Sequence, residues 1–259
     1  MQRHLALALP ALALLTMALR PCPEPASTAA LATSAFAAGP PAVCFPLEIG
    51  DDVAIPESFG EGFGPGQLVS RMHAALEGSD RTLVHMETLR CATWSIMTME
   101  MGQGATKDEL GHAVTSHLRW RLVRALADER AGREAGLPAP EDYERELGLA
   151  WFDLAYFQGA MGQALRFGTE GCEDAMSEAM RLLPKDASAQ FGCALAMWES
   201  DEYGEVGFYP RMRNALDLEG AGHADAQLLE NMLYTCGHLI GTEDRAAMDA
   251  KVNARLAGK

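Results

Sequence analysis

Ala175-Met-Ser-Glu-Ala179-Met-Arg-Leu182-Leu183-Pro184 leads into Ala187-Ser-Ala189-Gln190-Phe191. Farther on, Met212-Arg-Asn-Ala215-Leu216-Asp-Leu218-Glu-Gly220 leads into Ala224-Asp-Ala226-Gln227-Leu228. Ala189-Gln190 thus returns as Ala226-Gln227, a step of about 37 residues that falls in the range of stacked helical repeats. Each block has apolar residues at helical spacing and ends on Pro or Gly. One such unit is a pair of helices that cannot bury its apolar face alone, so neighbouring pairs stack to do it. The echo therefore predicts an all-α chain of antiparallel helix pairs, stacked as a short α-solenoid or bundle.

The period extends outward in both directions. It predicts a helix from Gln67 to Glu77 and another from Arg81 to about Met99, capped by Ser79. Thr106 and Glu109 have the spacing of a capping box for a third helix, running to about Gly132. The arginines in that helix's last turns suit the helix dipole. Pro140-Glu141-Asp142 opens a fourth helix that runs to about Phe167. Its centre, Leu149-Ala-Trp-Phe-Asp153-Leu-Ala-Tyr-Phe157, is apolar nearly all round, so several neighbours bury it. Gly159 and Gly162 would let one of them approach closely. Further helices are predicted at 170–183, 187–200, 210–218, 224–239 and 243–256, the last capped by Thr242. Before them all, residues 44–66 read as an irregular arm lying across the helices, with an extended stretch at Cys44–Gly50 and glycines at 60, 62, 64 and 66.

The N-terminus reads as an export signal. Arg3 precedes an apolar run from Leu5 to Leu19, and Ala35-Phe36-Ala37 has the small-residue pattern of a cleavage site. That run is too short to span a bilayer, and no later segment is a candidate span. The expected organisation is a signal peptide over 1–37, a linker and arm over 38–66, and one helical domain over 67–259. The expected location is the periplasm or outside the cell. The chain carries 36 acidic against 21 basic residues, a net charge of −15. A field of that sign repels phosphate backbones, so nucleic acid is not an expected partner.

Residues 150–233 resemble a tetratricopeptide repeat array. Leu154-Ala155, Phe191-Gly192 and Leu228-Leu229 stand where that family places Leu-Gly or Leu-Ala in its first helix. Ala179 and Ala215 match the small residue of its second helix, and Pro184 the helix-ending proline. His85-Met-Glu-Thr-Leu-Arg90 and Ala150-Trp-Phe-Asp153-Leu-Ala-Tyr156 also look like segments of uncharacterised exported bacterial proteins. The resemblance implies a scaffold for protein contacts, with no catalytic residues to carry over.

The residues themselves lead to the same expectation. No nucleophile elbow, phosphate loop or metal-ligand spacing is present: His112 and His117 are five apart, where a shared helix face needs three or four. No metal or cofactor is expected. Fourteen methionines read as core filling, with a soft-metal site at Met97, Met99 and Met101 as the alternative. Beyond Cys22 in the leader, five cysteines remain. Cys172 and Cys193, flanking the turn at Pro184, are the pair most suited to a disulfide; otherwise all five are small buried groups. Asp153, inside its apolar helix, needs a cation, and Arg90 with Glu87 one turn back is the expected partner. Tyr156, Trp198 and Tyr203 are the aromatic candidates for a partner surface, alongside Glu87, Arg90 and Asp153. The favoured function is a non-catalytic protein-interaction scaffold or adaptor. The alternative is an enzyme or small-molecule binder with a polar pocket between the 81–101 and 141–168 helices.

Overall fold

A computed structural model describes residues 41–56, 64–98, 106–136, 143–165, 171–198 and 207–258. Among these the chain is all-helical, with no strand. The elements are α1 (Pro41–Cys44), α2 (Pro65–Glu77), α3 (Thr82–Thr98), α4 (Lys107–Glu134), α5 (Tyr143–Leu165), α6 (Cys172–Leu182), α7 (Ala187–Ala196), α8 (Phe208–Gly220), α9 (Leu228–Ile240) and α10 (Arg245–Ala257). The expected signal peptide, the glycines at 60 and 62, and the Pro138–Pro140 break lie outside the described residues.

Local chemistry sets the helix starts. Thr106 accepts the Glu109 amide while the Glu109 carboxylate takes the Thr106 amide, the reciprocal cap the sequence predicted. Asp186 caps α7 through the Ala189 amide at 2.9 Å. Ser79 accepts the Arg81 amide at 3.1 Å just before α3. Ahead of α10, however, the cap is Asp244, which accepts from Ala247. Thr242 is instead buried.

Successive helices pack as pairs, α5 with α6 and α7 with α8, while α10 lies mainly on α8 and only touches α9. The four-residue link from α6 to α7 turns the chain straight back. Between pairs, α3, α5, α7 and α9 form a row, with α3 against α5 and α7, α5 against α7, and α7 against α9. Packing in the row is close enough to demand glycine. A methyl on Gly192 of α7 would come within 2.6 Å of the Phe152 ring of α5 and 3.0 Å of Met86 of α3. A methyl on Gly159 would meet Ala196 at 2.7 Å, the approach its sequence position suggested.

The echo does not repeat helix for helix. Ala189-Gln190 lies inside α7, but Ala226-Gln227 lies in the turn before α9, which starts at Leu228. Side-chain bonds occupy that turn: Asp225 accepts from Ser188 and Arg81, and Gln227 accepts from Arg81. Polar side chains held by tertiary partners compete with helix extension.

The arm lies across the helices and begins with a helical turn at Pro41. Its first turn, α1, packs on α3, α5 and α7. Phe45 then stacks on His238 of α9, ring centroids 5.4 Å apart. The arm thus touches every helix of the row, and beyond α1 it lies between α3 and α9. From Phe45 to Gly50 it is extended or turning, and Phe45, Leu47 and Ile49 are buried while Glu48 and Gly50 are exposed. That two-residue alternation is what an extended segment with one face down produces.

Candidate functional site

Two clusters of buried charge sit on opposite flanks of α3. The first joins four helices. His85 of α3 places Nδ1 2.7 Å from the Asp153 carboxylate of α5 and Nε2 2.9 Å from the Ser79 carbonyl. Arg121 of α4 donates to the other Asp153 oxygen and, at 3.2 Å, to Glu77 of α2. His85 and Asp153 are 1 % and 0 % exposed. A carbonyl can only accept, so Nε2 carries a hydrogen. Nδ1 faces an oxygen of the Asp153 carboxylate that Arg121 also holds. Burial would raise the Asp153 carboxyl; the charges and hydrogen bonds of His85 and Arg121 outweigh it and hold it below the usual carboxylate range.

This corrects the expected Asp153–Arg90 pair. Residues 85 and 90 are five apart, which puts them roughly 140° apart around a helix of 3.6 residues per turn. The side of α3 that faces Asp153 therefore presents His85, and Arg90 looks elsewhere.

The second cluster lies beneath the arm. Arg90 grips Glu87 three residues back with two bonds of 2.7 Å, from Nε and Nη2. Its Nη1 donates to the Val43 carbonyl at 3.1 Å. Glu87 accepts the Leu47 amide at 2.9 Å. Tyr156 of α5 donates its hydroxyl to the Ala42 carbonyl at 3.1 Å; burial and the nearby Glu87 carboxylate push its ionisation well above the usual phenol range. Gln163 accepts the Ala42 amide at 3.3 Å. At the far end Asn231 of α9 holds both backbone groups of Glu48, accepting its N–H at 2.7 Å and donating to its C=O at 2.8 Å. Arg81 donates to the Ile49 carbonyl at 3.0 Å and pairs with Asp52.

Glu87, Arg90 and Tyr156 are thus brought together, and Asp153 is not among them. Trp198 is half-buried, edge-on to Phe208 with centroids 4.6 Å apart. Tyr203 lies outside the described residues. Cys172 and Cys193 are thiols and not a disulfide. Cys172 donates to the Ala155 carbonyl, and Cys193 sits 3.6 Å from the Met180 sulfur. Cys172 is thus directed back to α5, while Cys193 reaches across the turn to α6. Burial pushes the Cys172 thiol up to about 11 and raises Cys193 as well, so neither is a ready thiolate nucleophile.

His85, Arg121, Arg81 and Asn231 were not among the residues singled out from the sequence. Asn231 had a readable signal, an amide side chain on the apolar face of α9. Arg121 had a weaker one, lying beside the Leu118–Leu122 stripe. A shallow cleft with a volume of about 10 Å³ opens on Arg121, lined also by Glu77, Arg124, Ala125, Glu146 and Ala150. It contains neither Glu87 nor Arg90. Among the described residues no cluster of three His, Cys, Asp or Glu has a metal-holding arrangement. No described helix is long and apolar enough to cross a membrane.

Compared with known proteins, the chain matches no family model, no curated protein and no solved structure.

Proposed function

We propose that this chain is an exported helical-repeat scaffold of the tetratricopeptide kind, working without catalysis in the periplasm or outside the cell by holding protein partners. One observation carries the reading. Glu87 and Arg90 of α3, Tyr156 of α5 and Asn231 of α9 are directed at the backbone of the arm, not into a pocket. A catalytic cavity needs a reacting group next to open space. Here the His85–Asp153 pair, the nearest thing to an oriented base, has its second nitrogen occupied by Ser79.

The test is photo-crosslinking in the native envelope, with the reactive residue at Trp198, at Tyr209 and, as a control, at the α4 surface position Val123. The scaffold reading expects one discrete protein adduct that depends on position. A saturable small-molecule shift in melting temperature, abolished by Glu87→Gln, would instead establish a ligand pocket. Sequencing the mature N-terminus checks export separately, with a start near Ala38 expected.

A further inference from the structure

We propose that residues 41–56 occupy, in cis, a site for a partner-protein segment made of a short helical turn followed by an extended stretch with apolar side chains at alternate positions, and that such a segment displaces the arm. The inference rests on the scaffold reading and adds where the partner binds and what it looks like.

Three features of the contact support it. Most of the polar contacts go to the arm's backbone. Gln163, Tyr156, Arg90, Glu87, Asn231 and Arg81 between them hold amides or carbonyls of Ala42, Val43, Leu47, Glu48 and Ile49. Asn231 takes one residue's N–H and C=O together, as a neighbouring strand would. Any chain that follows one helical turn with an extended stretch offers those groups. Selectivity is left to the buried side chains, small at Ala42 and Cys44 in the turn and apolar at Phe45, Leu47 and Ile49 beyond it.

The floor under the arm also carries buried polar groups, set into the apolar core that Leu47 and Ile49 join. A contact fixed for good is made more simply from apolar residues, since burying an ion pair gains little over a hydrophobic match. Arg90 and Glu87 are joined by two bonds independent of the arm. When the arm leaves they stay paired, and water takes the places of Val43 and Leu47.

Finally, the outward-facing positions of the arm are undemanding. Glu48 and Gly50 are exposed and Pro46 is half-buried, so a foreign segment needs only the inward pattern.

The experiment uses the full chain with a specific protease sequence inserted after Pro56. The probe is a fluorescent synthetic peptide of residues 41–56 carrying Cys44→Ser. Anisotropy and native mass spectrometry follow exchange, and circular dichroism follows the helices. After cutting, the peptide is expected to replace the severed arm with the helical signal unchanged. A peptide with Leu47→Glu and Ile49→Glu is expected to bind at least about tenfold more weakly, because two apolar anchors are lost. One with Phe45→Leu, Leu47→Val and Ile49→Leu keeps the pattern and is expected to bind within about tenfold of the original. The uncut chain is expected to bind the probe more weakly than the cut chain, because the tethered arm competes at an effective concentration of roughly millimolar.

Retention of the severed arm under excess peptide would overturn the proposal, as would its release only with loss of helix. Either result makes the arm a fixed part of the core. The scaffold reading would survive both, since its own test is the position of a crosslink. Exchange of arms between two copies, with no capture of peptide, would overturn the partner half and make the groove a self-association device.

Discussion

The two charge clusters on α3 use the same chemistry differently. The His85–Asp153–Arg121–Glu77 cluster recruits one group from each of α2, α3, α4 and α5, and each member's principal bonds go to other helices. The Glu87–Arg90 pair is made within a single helix, three residues apart, and has bonding capacity left over for the arm. Charge that is closed on itself across helices fixes how those helices meet. Charge that is paired locally with capacity to spare can hold something that comes and goes. The first cluster is a staple of the fold, and the second is a floor for a guest.

Asp153→Ala gives the largest expected effect. It leaves Arg121 as a buried cation without its buried anion and His85 without its Asp153 contact, a loss of about 3–5 kcal/mol. Urea denaturation measures it, and the helices should loosen as a group. A loss near zero would mean that the cluster is not a staple, and the comparison would fail.

Arg90→Ala comes next. It strips Glu87 of its two charged bonds and Val43 of a donor, at about 2 kcal/mol. The smaller value reflects position: Glu87 lies under a removable arm and can be reached by water, whereas Asp153 lies among helices. Amide exchange should rise at residues 42–49 and stay slow in the centre of α5. Uniform loss of protection would put both clusters in the same class.

Acid tests the first cluster without mutation. The Asp153 carboxyl lies below its unfolded value, so its contribution is complete above about pH 4 and is lost as pH falls through the depressed folded value. His117, between α2 and α4, shows the effect earlier. Burial, with help from His73 and Arg121, lowers it to about 4. The unfolded chain binds the extra proton between about pH 6.5 and 4, so stability falls with pH across that window. The expected midpoint curve has a shallow decline first and a steep one below pH 4. His117→Gln should flatten the first part and leave the second.

Much of the fold was legible because helices announce themselves locally. The 3.6-residue stripe, the Thr106–Glu109 box and the crowding at Gly159 depend on neighbours in sequence or on size alone. The extended, alternating character of Cys44–Gly50 was readable for the same reason, although residues 41–44 begin with a helical turn. Charge pairing was harder to read. Nothing in the spacing of Arg121 distinguishes a residue reaching Asp153 from one placed to suit a helix end, because the deciding distance runs between helices. The start of α9 was misplaced for a related reason. Ala224-Asp-Ala-Gln227 has helical propensity, but Arg81, more than 140 residues away in sequence, holds Asp225 and Gln227 in a turn.

Asn231→Ala is the smallest expected effect and the most discriminating. Two hydrogen bonds to Glu48 disappear, yet Glu48 itself is exposed, so water takes over its amide and carbonyl. The net cost is about 1 kcal/mol. On a permanently packed arm that loss would be shared through the whole cooperative unit. On an arm that opens by itself, the same loss raises the open population roughly fivefold, since about 1.4 kcal/mol is a factor of ten. Amide exchange at residues 47–49 should therefore accelerate by about that factor, while exchange in α3 and α5 is unchanged. Equal acceleration in the arm and the helices would show that both clusters open together and erase the distinction between staple and floor.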